Sequence, residues 1–419
     1  MSIPVVFIAL NYRAYDGFFQ DDELDNLKWA PSLPLREFLT GLLSPRFAVE
    51  NFRPVGHLYF HLMGARFGLD FPPYMTPVFA IHLANAFLLW LLLRKLSVTP
   101  WCALAATAFF TLSAAAFDAY WKPMYVFDLL CTTLCLASIL FYAYRRWVLS
   151  FIAFWLAYKS KELAVMLPAV LLAYEYWFGE RRYRFLIPFL LVSLSFGIQG
   201  IVLNPNKDNE YTFRFTPDAL RHTIPFYSRR FLLFPFSGLA LLALLFIRDR
   251  RVWFGLAAMG LFLVPLVFLP GRLYEAYAYL PLACVAIALG AAASQVNPVW
   301  AWAALALWMP FNVRDIIRER RVKLALDDKV FALVDSMQTW VAKNPGVDTF
   351  VYDGAPAGFR DWGVTGAWNI VHRRTDLPAL YLDSPGTRTS IAGKTVAWGS
   401  WDSNRPQLAI ILRRIPKKD

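Results

Sequence analysis

The sequence is poor in cysteine, histidine and charge. It has four cysteines and five histidines among 419 residues, and only 17% of its residues are charged. The cysteines all lie within apolar segments, at Cys102, Cys131, Cys135 and Cys284. Their placement indicates small apolar packing residues and gives no sign of a disulfide framework.

The shortage of histidine argues against a metal centre. His57 and His61 are four residues apart, which places them on one face of a helix, but the sequence shows no second pair of this kind. A zinc site takes three or four protein ligands, so we assign no metal site. We expect that no cofactor is required and that a divalent metal is optional.

Apolar and aromatic side chains are abundant, at 58% and 17% of the residues. A mean hydropathy of +0.42 is too high for a soluble protein of this length and indicates a polytopic membrane protein. The net charge of +12 is divided among short basic clusters between apolar segments. The clusters include Arg94-Lys95, Arg145-Arg146, Arg181-Arg182 and Arg250-Arg251. Such clusters mark cytoplasmic loops, and they do not form the single basic face that nucleic-acid binding requires.

A membrane-spanning helix needs about 20 mostly apolar residues. We predict spans at Thr76–Leu93, Trp101–Phe117, Met124–Tyr144, Trp147–Tyr158, Leu163–Phe178, Phe185–Leu203, Phe231–Ile247, Val252–Leu269, Ala276–Ala293 and Pro298–Pro310. The first apolar segment, IPVVFIAL, is short; we expect a clipped first helix rather than one that continues through Tyr12 and Tyr15. With it, the bundle has about eleven spans. If the N-terminus is inside, an odd number places the C-terminus outside the cytoplasm.

The composition predicts two domains. Residues 1–310 form an all-α membrane domain with a large first outer loop at 16–75, and residues 311–419 form a small extracytoplasmic α/β domain. The predicted local elements are surface helices at Leu33–Leu43 and His57–Phe67, a second outer loop at Asn204–Pro225, a helix at Val322–Ala342, and strands at DTFVYDG and QLAIILRRI.

Three consecutive carboxylates, Asp21, Asp22 and Glu23, follow the first apolar segment. One interpretation is a solvated acidic start to a loop. The other is a general base at the membrane surface, because neighbouring negative charges increase the basicity of a carboxylate. Position alone does not choose between them.

Other charged residues occur at span ends on the same predicted side. Arg53 precedes Pro54 and is suited to bidentate phosphate binding, although an interfacial arginine can also meet lipid head groups. His57 is the first residue of the predicted surface helix that follows Arg53 and Pro54. Lys122 and Asp128 flank the start of a span, either as a structural ion pair or as part of a site.

Lys161 and Glu162 lie in a short outer turn, and Arg272 lies just before another span. Lysine on the outer side opposes the positive-inside bias, so an anionic ligand is a reasonable partner, with snorkelling at the interface as the alternative. Tyr274, Tyr277 and Tyr279 follow Arg272 and are attributed mainly to an aromatic belt.

The order of these motifs resembles the C superfamily of membrane glycosyltransferases that use polyprenyl-phosphate sugars. Within this superfamily, the motifs most resemble those of the branch of protein O-mannosyltransferases and their tetratricopeptide-bearing relatives. The shared motifs are Asp21-Asp22, Arg53-Pro54, IHLANAFLLWLLLRKL with His82, Asp128-Leu129-Leu130, Lys161-Glu162 before Pro168, and YLPL at Tyr279–Leu282.

The chain departs from the pattern in two places. Val126 stands where relatives often carry an arginine, and Arg272 and Glu275 replace an adjacent Glu-Arg pair in a different order. No helical repeats follow the bundle, so the C-terminal region does not indicate a protein acceptor.

The resemblance implies an inverting transferase in which an aspartate deprotonates an acceptor hydroxyl and cations stabilise the departing lipid phosphate. Asp21 is the preferred base with Asp22 beside it; the alternative register makes Asp22 the base with Glu23 beside it. Arg53, Lys161 and Arg272 are the candidate cations, and His57, Lys122, Asp128 and Glu162 complete the predicted substrate site.

The expected partners are a lipid-linked sugar donor, a glycan, lipid or protein acceptor, and membrane lipid, with no nucleic acid. We expect a bacterial inner-membrane protein with its active site facing outward. Rival hypotheses are a transporter or flippase of lipid-linked glycans, a polymerase or ligase of such glycans, and an inactive relative that binds partners.

Overall fold

The computed structural model describes residues 2–46, 52–202, 208–403 and 405–416. Seventeen α-helices and four strands are described in these ranges. The helices are α1 Ile3–Asn11, α2 Asp21–Trp29, α3 Leu35–Leu43, α4 Pro54–Phe67, α5 Pro72–Lys95, α6 Pro100–Leu112, α7 Phe117–Trp121, α8 Val126–Ala143, α9 Trp147–Ser160, α10 Leu167–Trp177, α11 Ile187–Val202, α12 Pro217–Leu232, α13 Arg250–Val267, α14 Tyr279–Ala293, α15 Pro298–Lys343, α16 Asp361–His372 and α17 Thr387–Ser390. The strands are β1 Phe350–Tyr352, β2 Ala379–Tyr381, β3 Thr395–Asp402 and β4 Gln407–Arg414.

Several helices are long and apolar enough to cross a membrane. Within the described ranges there are five, at Pro72–Lys95, Pro123–Ala143, Tyr183–Val202, Arg250–Val267 and Glu275–Ala293. The number rises to seven if each of two sharply bent pairs is one span: Pro100–Leu112 with Ala114–Trp121, and Pro217–Leu232 with Ser237–Phe246. Trp147–Ser160 is a shorter apolar helix. The helical membrane fold is confirmed, and the count of about eleven spans stays a prediction.

The chain divides into two compact units. The helical unit comprises Met1–Asn11, Leu35–Gly56 and Thr76–Ile317, and the mixed unit comprises Tyr12–Pro34, His57–Met75 and Arg318–Asp419. The predicted first outer loop at 16–75 therefore contributes to both units. The predicted division into domains at residues 310 and 311 stays a prediction.

Helix α14 forms the centre of the helical unit, and nearly all of its residues are buried. Small residues allow neighbouring helices to approach closely: a Cβ on Gly255 of α13 would lie 2.6 Å from the backbone nitrogen of Ala288. At the start of α14, the Tyr279 hydroxyl lies 2.7 Å from His82 Nδ1, and His82 Nε2 lies 3.0 Å from the Thr111 carbonyl oxygen. This buried network joins α5, α6 and α14.

Several predicted boundaries differ from the structure. Helix α12 begins at Pro217, with the Thr216 hydroxyl accepting a hydrogen bond from the backbone of Ala219, so the predicted loop at Asn204–Pro225 extends too far. Residues 204–207 of that loop, and residue 203 at the end of the predicted span before it, lie outside the described part of the chain. A bent helix pair, Pro217–Leu232 with Ser237–Phe246, covers the region of the predicted span at Phe231–Ile247.

Helix α15 continues through Pro310, where a span was predicted to end, and includes the separately predicted helix at Val322–Ala342. A proline removes one helical hydrogen bond, but membrane helices tolerate it when neighbouring groups satisfy the freed backbone.

The mixed unit contains the predicted C-terminal α/β structure. Its sheet has the order β2-β1-β3-β4, with β1 parallel to β2 and β3, and β4 antiparallel to β3 at one edge. Val351, Val396 and Ile391 form a buried cluster at the sheet. Helix α16 packs on the sheet through Trp368, whose ring stacks on that of Phe350 in β1 with centroids 4.8 Å apart. The two predicted strands correspond to β1 and β4.

Candidate functional site

Arg53 forms a bidentate ion pair with Glu162 in the helical unit. Its Nε and Nη2 atoms donate to Glu162 Oε1 and Oε2 at 2.8 and 3.0 Å. The guanidinium also lies 5.6 Å from the centre of the Phe127 ring. This ring fits because residue 56 is glycine: a Cβ there would lie 2.0 Å from Phe127. Arg53 is thus fixed on two sides.

Lys161, next to Glu162 in sequence, pairs with Asp128. Its Nζ donates to Asp128 Oδ1 at 2.5 Å, and the two side chains are 13% and 5% exposed. The same ammonium lies 4.0 Å from the centre of the Tyr277 ring. Because buried charges are costly unless paired, the contact with Asp128 offsets part of the cost of burying the Lys161 ammonium close to an aromatic face.

Tyr277 links Lys161 to the third predicted cation. Its hydroxyl accepts a hydrogen bond from Arg272 Nη2 at 2.8 Å. The Arg272 guanidinium also stacks near Tyr211 and Tyr274, at 4.1 and 4.6 Å from their ring centres, and lies 3.6 Å from Glu210 Oε2. Arg272 Nε is buried and, within the described residues, has no hydrogen-bond partner.

The structure therefore brings the candidate cations into one group, the cation cluster: Arg53, Lys161 and Arg272, with Asp128, Glu162 and Tyr277. Tyr277 is the member that sequence reasoning missed, because a tyrosine near a span end is also typical of an aromatic belt. Glu275, predicted beside Arg272 at the span end, pairs with Arg230.

Burial and pairing have opposite effects on the charges in this cluster. Burial alone would lower the pKa of Arg53, but Glu162 and other nearby negative or polar groups raise it above its ordinary value. Burial would raise the pKa of Glu162, and the Arg53 contact lowers it overall. Burial lowers the pKa of Lys161 despite the opposing effect of Asp128. Arg53 and Glu162 are therefore firmly charged, whereas Lys161 loses its proton more readily than an exposed lysine.

The acidic triplet lies in the mixed unit, in the first turn of α2, where a helix favours negative charge. Asp21 Oδ1 accepts a hydrogen bond from the backbone nitrogen of Arg360 at 2.7 Å, and Asp22 Oδ1 accepts one from Trp362 Nε1 at 2.8 Å. Glu23 is 2% exposed, and its Oε2 accepts from the backbone nitrogen of Gln20 at 3.0 Å, completing a capping box.

His57 and Lys122, the remaining predicted site residues, are buried. His57 in the mixed unit is 4% exposed, with its ring 4.8 Å from that of Trp29. Lys122 in the helical unit is 7% exposed and precedes a 3-10 turn at Pro123–Tyr125. Within the described ranges, no three His, Cys, Asp or Glu residues are grouped as a metal site would need.

Solved structures with the same architecture share little sequence with this chain. ArnT from Cupriavidus metallidurans bound to undecaprenyl phosphate superposes with a TM-score of 0.58 and 14% identity, over 96% of this chain and 93% of ArnT. Apo ArnT gives a TM-score of 0.54 at 12% identity, with the same coverage of both chains.

The arabinofuranosyltransferase AftD from Mycobacteria gives 0.54 at 16% identity, over 90% of this chain and 31% of AftD. The chain shares the fold of ArnT and of the part of AftD that it matches. No protein-family model and no curated protein matches the chain. The likeness is thus one of fold, and the predicted nearness to the O-mannosyltransferase branch stays a prediction.

Proposed function

We propose that the chain is an inverting glycosyltransferase that moves a sugar from a polyprenyl-phosphate carrier to an acceptor hydroxyl on the outer side of the membrane. The observation that carries this proposal is the cation cluster. Lys161 and Arg272 contact Tyr277, Arg53 interacts electrostatically with it, and the buried Nε of Arg272 is a donor to which a phosphate oxygen could bind.

The charge balance of the cluster suits a lipid phosphate. Three cations face two well-paired carboxylates, Asp128 and Glu162, and a third carboxylate, Glu210, pairs more loosely with Arg272. Glu210 is more distant, at 3.6 Å from Arg272, and its side chain is 41% exposed. In a site sheltered from water, preorganised cations stabilise charge that develops on a leaving group by several kcal/mol.

The reaction needs a base as well as a leaving-group site. A carboxylate takes the proton from the acceptor hydroxyl, the acceptor oxygen bonds to the anomeric carbon, and the bond from that carbon to the phosphate oxygen breaks. Its electron pair stays on the lipid phosphate, and the configuration at the anomeric carbon inverts. We propose Asp21 as the base with Asp22 beside it; Glu23 is engaged in the capping box.

The similar folds support the class of donor. ArnT was solved with undecaprenyl phosphate, and AftD is an arabinofuranosyltransferase. We propose a lipid-phosphate-linked pentose or hexose as the donor for this chain, with a glycan, lipid or protein as acceptor. We further propose a bacterial inner membrane as its location, with the C-terminus outside.

Purified protein incubated with radiolabelled polyprenyl-phosphate sugars tests the proposal. We expect sugar transfer and release of polyprenyl phosphate, and loss of both in Arg272→Gln. Arg182→Gln is the matched control, because Arg182 lies in an exposed pair with Glu180 at 45% and 46% side-chain exposure. Donor that moves between leaflets without being consumed would favour a flippase and refute the proposal.

A further inference from the structure

We propose that α16 of the C-terminal region is a positioning element for the acidic pair Asp21 and Asp22, and that Trp362 is the residue that orients Asp22. The inference rests on the proposed function and extends it to a part of the chain for which the motifs gave no role.

The hydrogen bonds from α16 have a defined direction. An indole N–H and a backbone N–H can only donate, so Trp362 and the Arg360 backbone require Asp22 and Asp21 to present acceptor oxygens. Hydrogen bonds to ionised groups are among the stronger ones in proteins. Each aspartate thus has one oxygen fixed by the same end of α16, which defines how both carboxylates are turned.

The close approach of α2 and α16 depends on two glycines one helical turn apart. A Cβ on Gly363 would lie 2.8 Å from Asp21 Oδ1, and one on Gly366 would lie 2.6 Å from the carbonyl carbon of Leu24. Real Cβ atoms do not come this close to backbone or carboxylate atoms. The Trp-Gly-x-x-Gly spacing therefore places the donors of α16 directly against the acidic turn.

Further contacts hold the donors in place. The Tyr352 hydroxyl of β1 donates to Asp361 Oδ1 at 2.9 Å, which ties the first residue of α16 to the sheet. The Arg360 guanidinium lies 5.1 Å from the centre of the Trp362 ring and restricts the rotation of the indole. Rigid support of this kind is what a catalytic carboxylate needs from its neighbours.

The substitution Trp362→Phe keeps an aromatic ring but removes the N–H. We expect kcat for sugar transfer to fall about tenfold, with KM for the lipid donor unchanged, because one charge-assisted hydrogen bond is lost away from the cation cluster. Trp398→Phe is the matched control: Trp398 also stacks with an arginine, Arg413, at 4.4 Å, but lies on β3. Equal kcat in the two variants would overturn the inference.

A double-mutant cycle separates positioning from general stability. If Trp362 acts through Asp22, adding Trp362→Phe to Asp22→Ala, which removes the acceptor oxygen, should cause little further loss of kcat. Losses that simply multiply would show that Trp362 acts independently of Asp22 and would refute the proposed role.

A spectroscopic test does not depend on activity. In protein labelled with 5-fluorotryptophan, the resonance absent from Trp362→Phe identifies Trp362. It should shift in Asp22→Ala, which removes the acceptor oxygen, and stay in place in Asp376→Ala, a control in the exposed Arg374–Asp376 pair. An unmoved resonance in Asp22→Ala overturns the inference, whereas absence of transfer by the unaltered protein counts against the proposed function.

Gly363→Ala provides an independent variant. Its Cβ would displace Asp21 or the nearby Phe359 ring, so we expect kcat to fall at least tenfold. Gly346→Ala is the control, because nothing lies within 4 Å of the added Cβ. Unchanged transfer in Gly363→Ala would show that the close approach is not needed.

Discussion

Lys161 either binds the donor phosphate or only balances the charge of Asp128. Three variants separate these roles: Lys161→Met, Asp128→Asn and the double variant. Lys161→Met leaves a carboxylate that is only 5% exposed without its 2.5 Å partner. The double variant removes both charges, so no buried charge is left without its partner.

The expected effects on stability follow from the burial of the pair. Breaking a buried ion pair by removing one partner costs about 3–5 kcal/mol, whereas replacing both partners is neutral or stabilises by about 1–4 kcal/mol. With side-chain exposures of 13% and 5%, the pair is close to the buried limit. We therefore expect each single variant to unfold more easily and the double variant to recover the stability of the unaltered protein.

The expected effects on donor affinity are different. A charge-assisted hydrogen bond contributes about 1.5–3 kcal/mol, so Lys161→Met should weaken binding of polyprenyl phosphate roughly ten- to hundredfold. The double variant should show the same loss although its stability has recovered. Asp128→Asn keeps the lysine but removes the carboxylate that raises its pKa, so donor affinity should match that of the unaltered protein at low pH and be lost at a lower pH as pH rises.

Equilibrium unfolding in mixed detergent micelles gives the stabilities, and titration calorimetry with a short-chain polyprenyl phosphate gives the affinities. The exposed pair Arg182–Glu180 is the control, and its double neutralisation should change stability by less than ~1 kcal/mol. Unaltered donor affinity in the double variant would refute the reasoning, because Lys161 would then serve only Asp128.

Three further predictions concern the base, pH and topology. Asp21→Asn should lower the transfer rate by ~10²–10⁴ with little change in expression, and this loss of rate should exceed that of Asp22→Asn or Glu23→Gln. Near-native rates in both aspartate variants would identify a solvated turn. Loss of transfer in Asp22→Asn alone would favour the second register, in which Asp22 is the base. Burial lowers the pKa of Lys161, so donor affinity should be retained at lower pH and lost as pH rises through that pKa, and Lys161→Arg should move this loss to higher pH. A reporter that is active only in the cytoplasm should stay silent when fused after Asp419, and activity there would refute the outward placement.

The apolar runs predicted the bounds of a span well where the ends of the run coincide with the ends of the helix. The span at Pro123–Ala143 and the one at Glu275–Ala293 each lie within one residue of the predicted bounds. Helix ends near proline were less predictable. Pro310 is a typical stop signal in a sequence, but α15 passes through it.

Sequence reasoning identified the cations but not their partners. Arg53 and Glu162 are 109 residues apart, so only the packing of the helices could show that they form an ion pair. Asp128 was weighed as a partner of the nearby Lys122, and the structure joins it to Lys161, which is 33 residues away. Local spacing predicts which charges lie near a membrane face, but partner choice depends on tertiary contacts.

Helix α16 escaped prediction because its sequence contains two glycines, which lower helix propensity. Those glycines are needed for close contact with α2, so the feature that hides the helix is also the one that brings Trp362 to Asp22. A glycine pair at helical spacing beside a tryptophan is the signal that could have indicated this contact.

Strand β4 also protects the C-terminal sheet from association with other copies of the protein. It covers the backbone of β3 along eight residue pairs and presents Ile411 and Leu412, 58% and 55% exposed, at the edge of the sheet. Arg413 and Arg414 follow and oppose edge-to-edge pairing. A truncation that removes β4 would uncover β3 and discard both arginines, so the shortened protein should self-associate through its sheet and be recovered as aggregates.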